Sequence, residues 1–149
     1  MLLFFHGGNG MSLVQTEITL KNTGDVLMVR NGIIKDTEIR QLSVTALVDT
    51  GAWTLVINEE TREKLGLEIV GTAPGTLADG TKEAYKMAGP LEVNWKDRRV
   101  TLDAIVAPKA EWILLGAIPL EAMDLVISPR QELVEASEKE TMHLLCGAA

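Results

Sequence analysis

Apolar residues along this chain fall in short runs separated by turn chemistry. Leu13, Val14, Ile18 and Leu20 interleave with Gln15, Glu17 and Thr19, close to the two-residue period of a strand with one wet face. Asn22-Thr23-Gly24-Asp25 interrupts that run. Residues 26–30 and 33–39 flank Asn31-Gly32, a dipeptide suited to the positive-φ positions of a tight turn, and the two segments are expected to form a hairpin. Residues 41–48 continue as a strand into Asp49-Thr50-Gly51, after which Thr54-Leu55-Val56-Ile57 resumes strand character. Residues 58–67 predict a short helix. Asn58 can cap it, Glu59 and Glu60 stand in its first turn, Lys64 near its end and Gly66 just past it, each agreeing with the helix dipole and the end preferences.

The second half repeats the pattern. Asp79-Gly80 reads as the tip of a hairpin whose arms hold Leu77, Ala78 and Tyr85, and Gly89-Pro90 separates it from a further hairpin over 91–107. Ile113-Leu114-Leu115 is a continuous apolar run, as expected of a strand buried on both faces. Pro119 suits the first turn of a helix that puts Leu120 and Met123 on one face, and Leu125-Val126-Ile127 is a last strand stopped by Pro129. Residues 131–149 carry four glutamates and one lysine without a clear cap, and read as either a helix or a frayed tail. The class is therefore mostly β with one or two short helices. The expected division is an extended or flexible arm over 1–11, one domain over 12–130 and a tail over 131–149.

At 149 residues the chain is long enough for one core and too short for two complete lobes. Lysine and arginine number 14 against 21 acids, a net charge of −7, and no basic stripe is present, so nucleic acid is not an expected partner. The acidity either favours solubility, the simpler reading, or biases a cleft toward neutral or basic peptides. Cys146 is the only cysteine, which rules out an intrachain disulfide and suits a cytoplasmic location. Met1-Leu2-Leu3-Phe4-Phe5 has no basic flank and meets a glycine-rich stretch at once, unlike a secretory leader. No run of 18 apolar residues occurs, so no membrane span is expected.

The inventory of reactive groups is short. His6 and His143 lie in terminal segments, as does Cys146, which leaves neither a nucleophilic triad nor a zinc site with credible members. No metal or other cofactor is expected. Asp49 remains: an apolar strand delivers a carboxylate to its end, and glycine follows to allow a tight turn. Alone, Asp-Thr-Gly is also an ordinary turn sequence.

Its surroundings change that reading. Ala46-Leu47-Val48-Asp49-Thr50-Gly51-Ala52, followed about sixty residues later by Ile113-Leu114-Leu115-Gly116 before a short helix, resembles the retropepsin-like aspartic proteases over residues 43–129. The resemblance implies a closed β-barrel with one lobe per chain, and a homodimer in which Asp49 of each subunit forms an aspartate dyad. Two carboxylates at one site cannot both ionise, so one activates a water while the other donates a proton. It further implies that Thr50 bonds across the two-fold axis, that Gly51 contacts the carboxylates, and that Ala52, Leu77, Ala78, Asp79, Gly80 and Leu115 meet a peptide or protein substrate. The hairpin at Asp79-Gly80 would be the flap that closes over substrate, the other reading being a plain surface hairpin.

Viral members commonly carry an acid after Asp-Thr-Gly-Ala and an arginine after the later glycine. Here those positions are Trp53 and Ala117, a paired loss that strands no charge and resembles small bacterial and archaeal relatives. Trp53 has three open roles: dimer contact, cleft wall or core. Two functions follow from the resemblance, an aspartic endopeptidase or a dimer of the same fold that binds peptides with little turnover.

Overall fold

The structure, a computed structural model, describes residues 14–76 and 80–136. Strand β1 (Gln15–Asn22) turns Ile18, Leu20 and Asn22 inward at every second position, the alternation expected of a half-buried strand. It pairs antiparallel with β2 (Gln41–Val48), Ile18 opposite Val44. Strands β3 (Val56–Ile57), β4 (Glu68–Thr76), β5 (Lys82–Trp95), β6 (Arg98–Val106) and β7 (Ile113–Leu115) complete a sheet in the order β1-β2-β7-β3-β6-β5-β4. β1 also pairs with β5, Leu20 opposite Val93, and that ladder closes the first six into a barrel with β4 outside. Closure leaves β4, paired with β5, as the edge strand of the sheet. β1 is thus paired with β2 over 15–21 and with β5 over 19–22.

Leu20, Leu55, Ile57, Leu91, Val93 and Leu115 are fully buried in one continuous core, each contributing about 1.5–3 kcal/mol over exposure. A smaller cluster of Leu47, Ala52, Val56, Ala73, Ile105 and Leu114 fills the other face of the same strands. β7 lies between β2 (parallel) and β3 (antiparallel) with all three residues buried, as its unbroken apolar run predicts.

Three short α-helices occur among the described residues, one more than expected. α2 (Glu59–Leu65) matches its sequence signals: the Asn58 side chain accepts from the Thr61 amide at 2.8 Å, and Gly66 takes the left-handed φ of 63°. α1 (Thr23–Arg30) replaces the hairpin expected at Asn31-Gly32. The Asn22 side chain caps it by accepting from the Asp25 amide at 3.1 Å, and Asn31 and Gly32 end it. Asparagine-glycine serves a helix C-terminus as well as a hairpin, because both need a positive φ. Asp36–Glu38 forms a 3-10 turn.

Gly89-Pro90 does not separate two hairpins. β5 runs through it with a register shift against β6 between Ala88 and Leu91, a bulge that lets one long strand serve β4, β6 and β1. α3 (Ala117–Ala122) buries Pro119 and Leu120, as its spacing predicts. β8 (Leu125–Ile127) pairs with β9 (Leu133–Glu135). The segment expected as a tail from residue 131 therefore begins with a strand of the fold, and Leu133 belongs to the core. No helix among the described residues is long and apolar enough to cross a membrane.

Candidate active site

β2 ends at Val48, and parallel pairing of Val48 with Leu115 brings the two conspicuous sequence segments side by side. The Asp49 amide continues that ladder, donating to the Leu115 carbonyl at 3.0 Å. The chain then turns back: the Ala52 amide donates to the Asp49 carbonyl at 3.1 Å, and the Gly51 amide donates to Asp49 Oδ1 at 2.9 Å. Asp49 is partly buried, and Thr50 and Gly51 are exposed. The carboxylate is thus oriented by backbone at the mouth of a rigid strand pair, with its second oxygen left over for chemistry.

The later glycine braces this turn from below. The Ala117 amide donates to the Ala52 carbonyl at 2.9 Å and the Ile118 amide to the Trp53 carbonyl at 2.8 Å. The positions that hold an acid and an arginine in viral relatives, Trp53 and Ala117, are thus each tied by backbone to a residue of the opposite segment. Trp53 is partly buried against the smaller cluster around Leu47 and Leu114. Of its three open roles this favours packing within the domain.

Two expected contacts have moved. Leu115 is 0% exposed within the main core. Adjacent residues of a strand point to opposite faces, and it is Leu114 that faces outward, into a groove of about 260 Å³ walled by Val56, Tyr85, Ala107, Glu111, Trp112 and Leu114. Ala52 is also 0% exposed, its methyl group packed into the smaller cluster instead of toward a ligand. Leu77, Ala78 and Asp79 lie outside the described residues, and Gly80 follows them at φ 88°. The arms of that hairpin, β4 and β5, are paired from Glu68–Gly89 to Thr76–Lys82, much longer than the sequence suggested. Tyr85 on β5 reaches the groove.

Glu111 and Trp112 carry no motif and were not among the expected contacts. The one available signal is an acid and a large aromatic directly before the buried Ile113-Leu114-Leu115 run. Other acids are poor companions for Asp49: Asp103 lies on β6 and Asp124 between α3 and β8. No cluster of three or more metal-ligating side chains occurs among the described residues.

Residues 35–122 match the family model described as "gag-polyprotein putative aspartyl protease". Among solved structures the chain is similar to a retropepsin-like aspartic protease from Rickettsia conorii, with 18% identity, 70% of this chain and 78% of that chain covered, and a TM-score of 0.38. No curated protein matches the chain. The family match takes in more than half of the sequence, from before β2 to the end of α3, and so spans both halves of the Asp49 turn: the chain belongs to the retropepsin-like aspartic protease family.

Proposed function

We propose that this protein is an aspartic endopeptidase that hydrolyses peptide bonds as a homodimer, with Asp49 of each subunit at one shared site. The observation that carries this reading is the Asp49 turn: a carboxylate held through Oδ1 by the Gly51 amide and through its own amide by Leu115, whose neighbour on β7, Leu114, lines a groove able to take a side chain. One Asp49 carboxylate removes a proton from water, which attacks the scissile carbonyl. The other, protonated, donates to the developing oxyanion; the first then passes the water's proton to the amide nitrogen, the C–N bond breaks to release the amine and a new carboxyl group, and the diol returns a proton to the second aspartate. Thr50, exposed beside Asp49, stands where a hydroxyl can bridge two such turns. The β4/β5 hairpin acts as the flap that excludes water from the groove.

A diverse peptide library offered to the wild type and to Asp49→Asn, from acidic to neutral pH, tests the proposal. Cleavage by the wild type with a bell-shaped pH profile, and none by the variant, is the expected result. Equal cleavage by both removes Asp49 from the chemistry. Binding without cleavage by both would make the protein a peptide-binding dimer.

A further inference from the structure

The groove at Leu114, one residue before the Leu115 carbonyl that receives the Asp49 amide, has a mixed wall. Val56, Ala107 and Leu114 form an apolar floor, whereas Tyr85, Glu111 and Trp112 supply two aromatic rings and a carboxylate. Glu111 is exposed and Trp112 is 40% exposed, so both are open to a ligand. A second carboxylate, Glu83, stands two residues before Tyr85 on β5, and burial, then the charge of Glu83, pushes the Tyr85 phenol's pKa upward. Alternation along β5 puts Glu83 and Tyr85 on one face and turns Lys82 and Lys86 to the other. No basic side chain lines the groove among the described residues, and the chain as a whole carries −7.

Resting on the proposal that this groove receives substrate, we infer that it selects a peptide side chain with an apolar stem and a cationic head, lysine or arginine. The methylene stem lies along Val56 and Leu114 while the charged end meets the Trp112 ring and the Glu111 carboxylate. A cation over an exposed tryptophan face is attracted by the ring's electron-rich face, more strongly where it is desolvated. Long basic side chains cover apolar surface with their stems while their ends stay in polar surroundings. A purely aliphatic side chain would use the floor equally well and gain nothing from the aromatic and acidic rim. A glutamate would meet Glu111 and Glu83 unpaired.

The test separates this inference from the protease reading by measuring binding apart from cleavage. Hexapeptides that differ at one position at a time between lysine, norleucine and glutamate are titrated into Asp49→Asn protein at low and high salt. At one position lysine should bind about threefold to tenfold more tightly than norleucine, with glutamate weakest. The margin should shrink in high salt and in Glu111→Gln, and Glu111→Lys should turn the preference toward glutamate. Norleucine binding as well as lysine at every position, or no peptide binding at all, would overturn the inference. If the wild type cleaves peptides without a basic preference, the inference falls and the protease reading stands. If lysine peptides bind through Glu111 but the wild type cleaves nothing, the reverse holds.

Discussion

Gly116 lies against the Ala52 carbonyl so closely that a Cβ at position 116 would stand 2.5 Å from that oxygen and 2.3 Å from the carbonyl oxygen of Thr54. Both neighbours are backbone and belong to the turn that carries Asp49, so neither can swing aside. Gly116 is therefore a point of close backbone contact between the two sequence segments of the site.

Gly116→Ala should push the Asp49 turn away from α3 and weaken the Ala117–Ala52 hydrogen bond. The expected loss is about 1–3 kcal/mol, typical of overpacking, with a larger proportional loss of any cleavage activity because the carboxylate is displaced. Urea unfolding and peptide turnover measured on the same preparation check both. Unchanged stability would mean that the turn adapts freely.

Asp25, 2% exposed, accepts from the Arg40 side chain at 2.8 and 2.9 Å and from the Arg40 amide at 2.9 Å. Hydrogen bonding to Arg40 holds its carboxyl below the usual range. The folded state thus binds this proton less tightly than the unfolded chain does. Its stabilisation is complete above the unfolded value of about 3.9 and is lost as pH falls through the lower folded value. Asp25→Asn should cost roughly 2 kcal/mol at pH 7, and the gap to the wild type should close as both are unfolded in urea at progressively more acidic pH. A gap independent of pH would show that the charge itself contributes nothing. Arg40→Leu should cost less than the roughly 3–5 kcal/mol of a fully buried pair, because Arg40 is half exposed and its amide still serves Asp25.

What could be read from the sequence was whatever local chemistry determines. The Asp49 turn, α2 with both of its ends and the double-sided burial of β7 each follow from adjacent residues. Errors arose where one signal serves two structures or where distant segments meet. Asn31-Gly32 ends a helix instead of a hairpin because Asn22, nine residues earlier, caps one. Leu115 was expected at the site although strand parity gives that place to Leu114, and the parity is fixed by pairing with β2 and β3 rather than by the run Ile113-Leu114-Leu115 itself. The groove draws on β3, β5, β7 and the residues just before β7, so no contiguous motif announces it.

Asp49→Asn preserves shape and the hydrogen bonds with the Leu115, Gly51 and Ala52 backbone while removing the ionised base. Thermal stability should stay within about 0.5 kcal/mol of the wild type, as for a partly exposed substitution, and turnover should fall at least 10²–10⁴-fold, roughly what positioned acid–base groups supply. A variant that loses both fold and activity would leave Asp49 a structural residue.

The last prediction concerns the second carboxylate. The chemistry needs two facing one water, and each chain brings one Asp-Thr-Gly turn, so a second copy related by a two-fold axis is the economical source. A surface suited to that contact is the exposed Thr50 turn together with the two-stranded β8/β9 sheet, where Val126 and Ile127 are 46% and 40% exposed. Burying one such side chain is worth about 1.5 kcal/mol, close to tenfold in a dissociation constant. Val126→Lys should therefore raise the dimer dissociation constant by at least about tenfold in sedimentation equilibrium. Its activity should be lost at low protein concentration and regained at high concentration, since no part of the Asp49 turn is altered. Excess Asp49→Asn chain should inhibit the wild type by forming mixed dimers. A stable monomer that cleaves peptides at a rate independent of concentration would rule out the shared site.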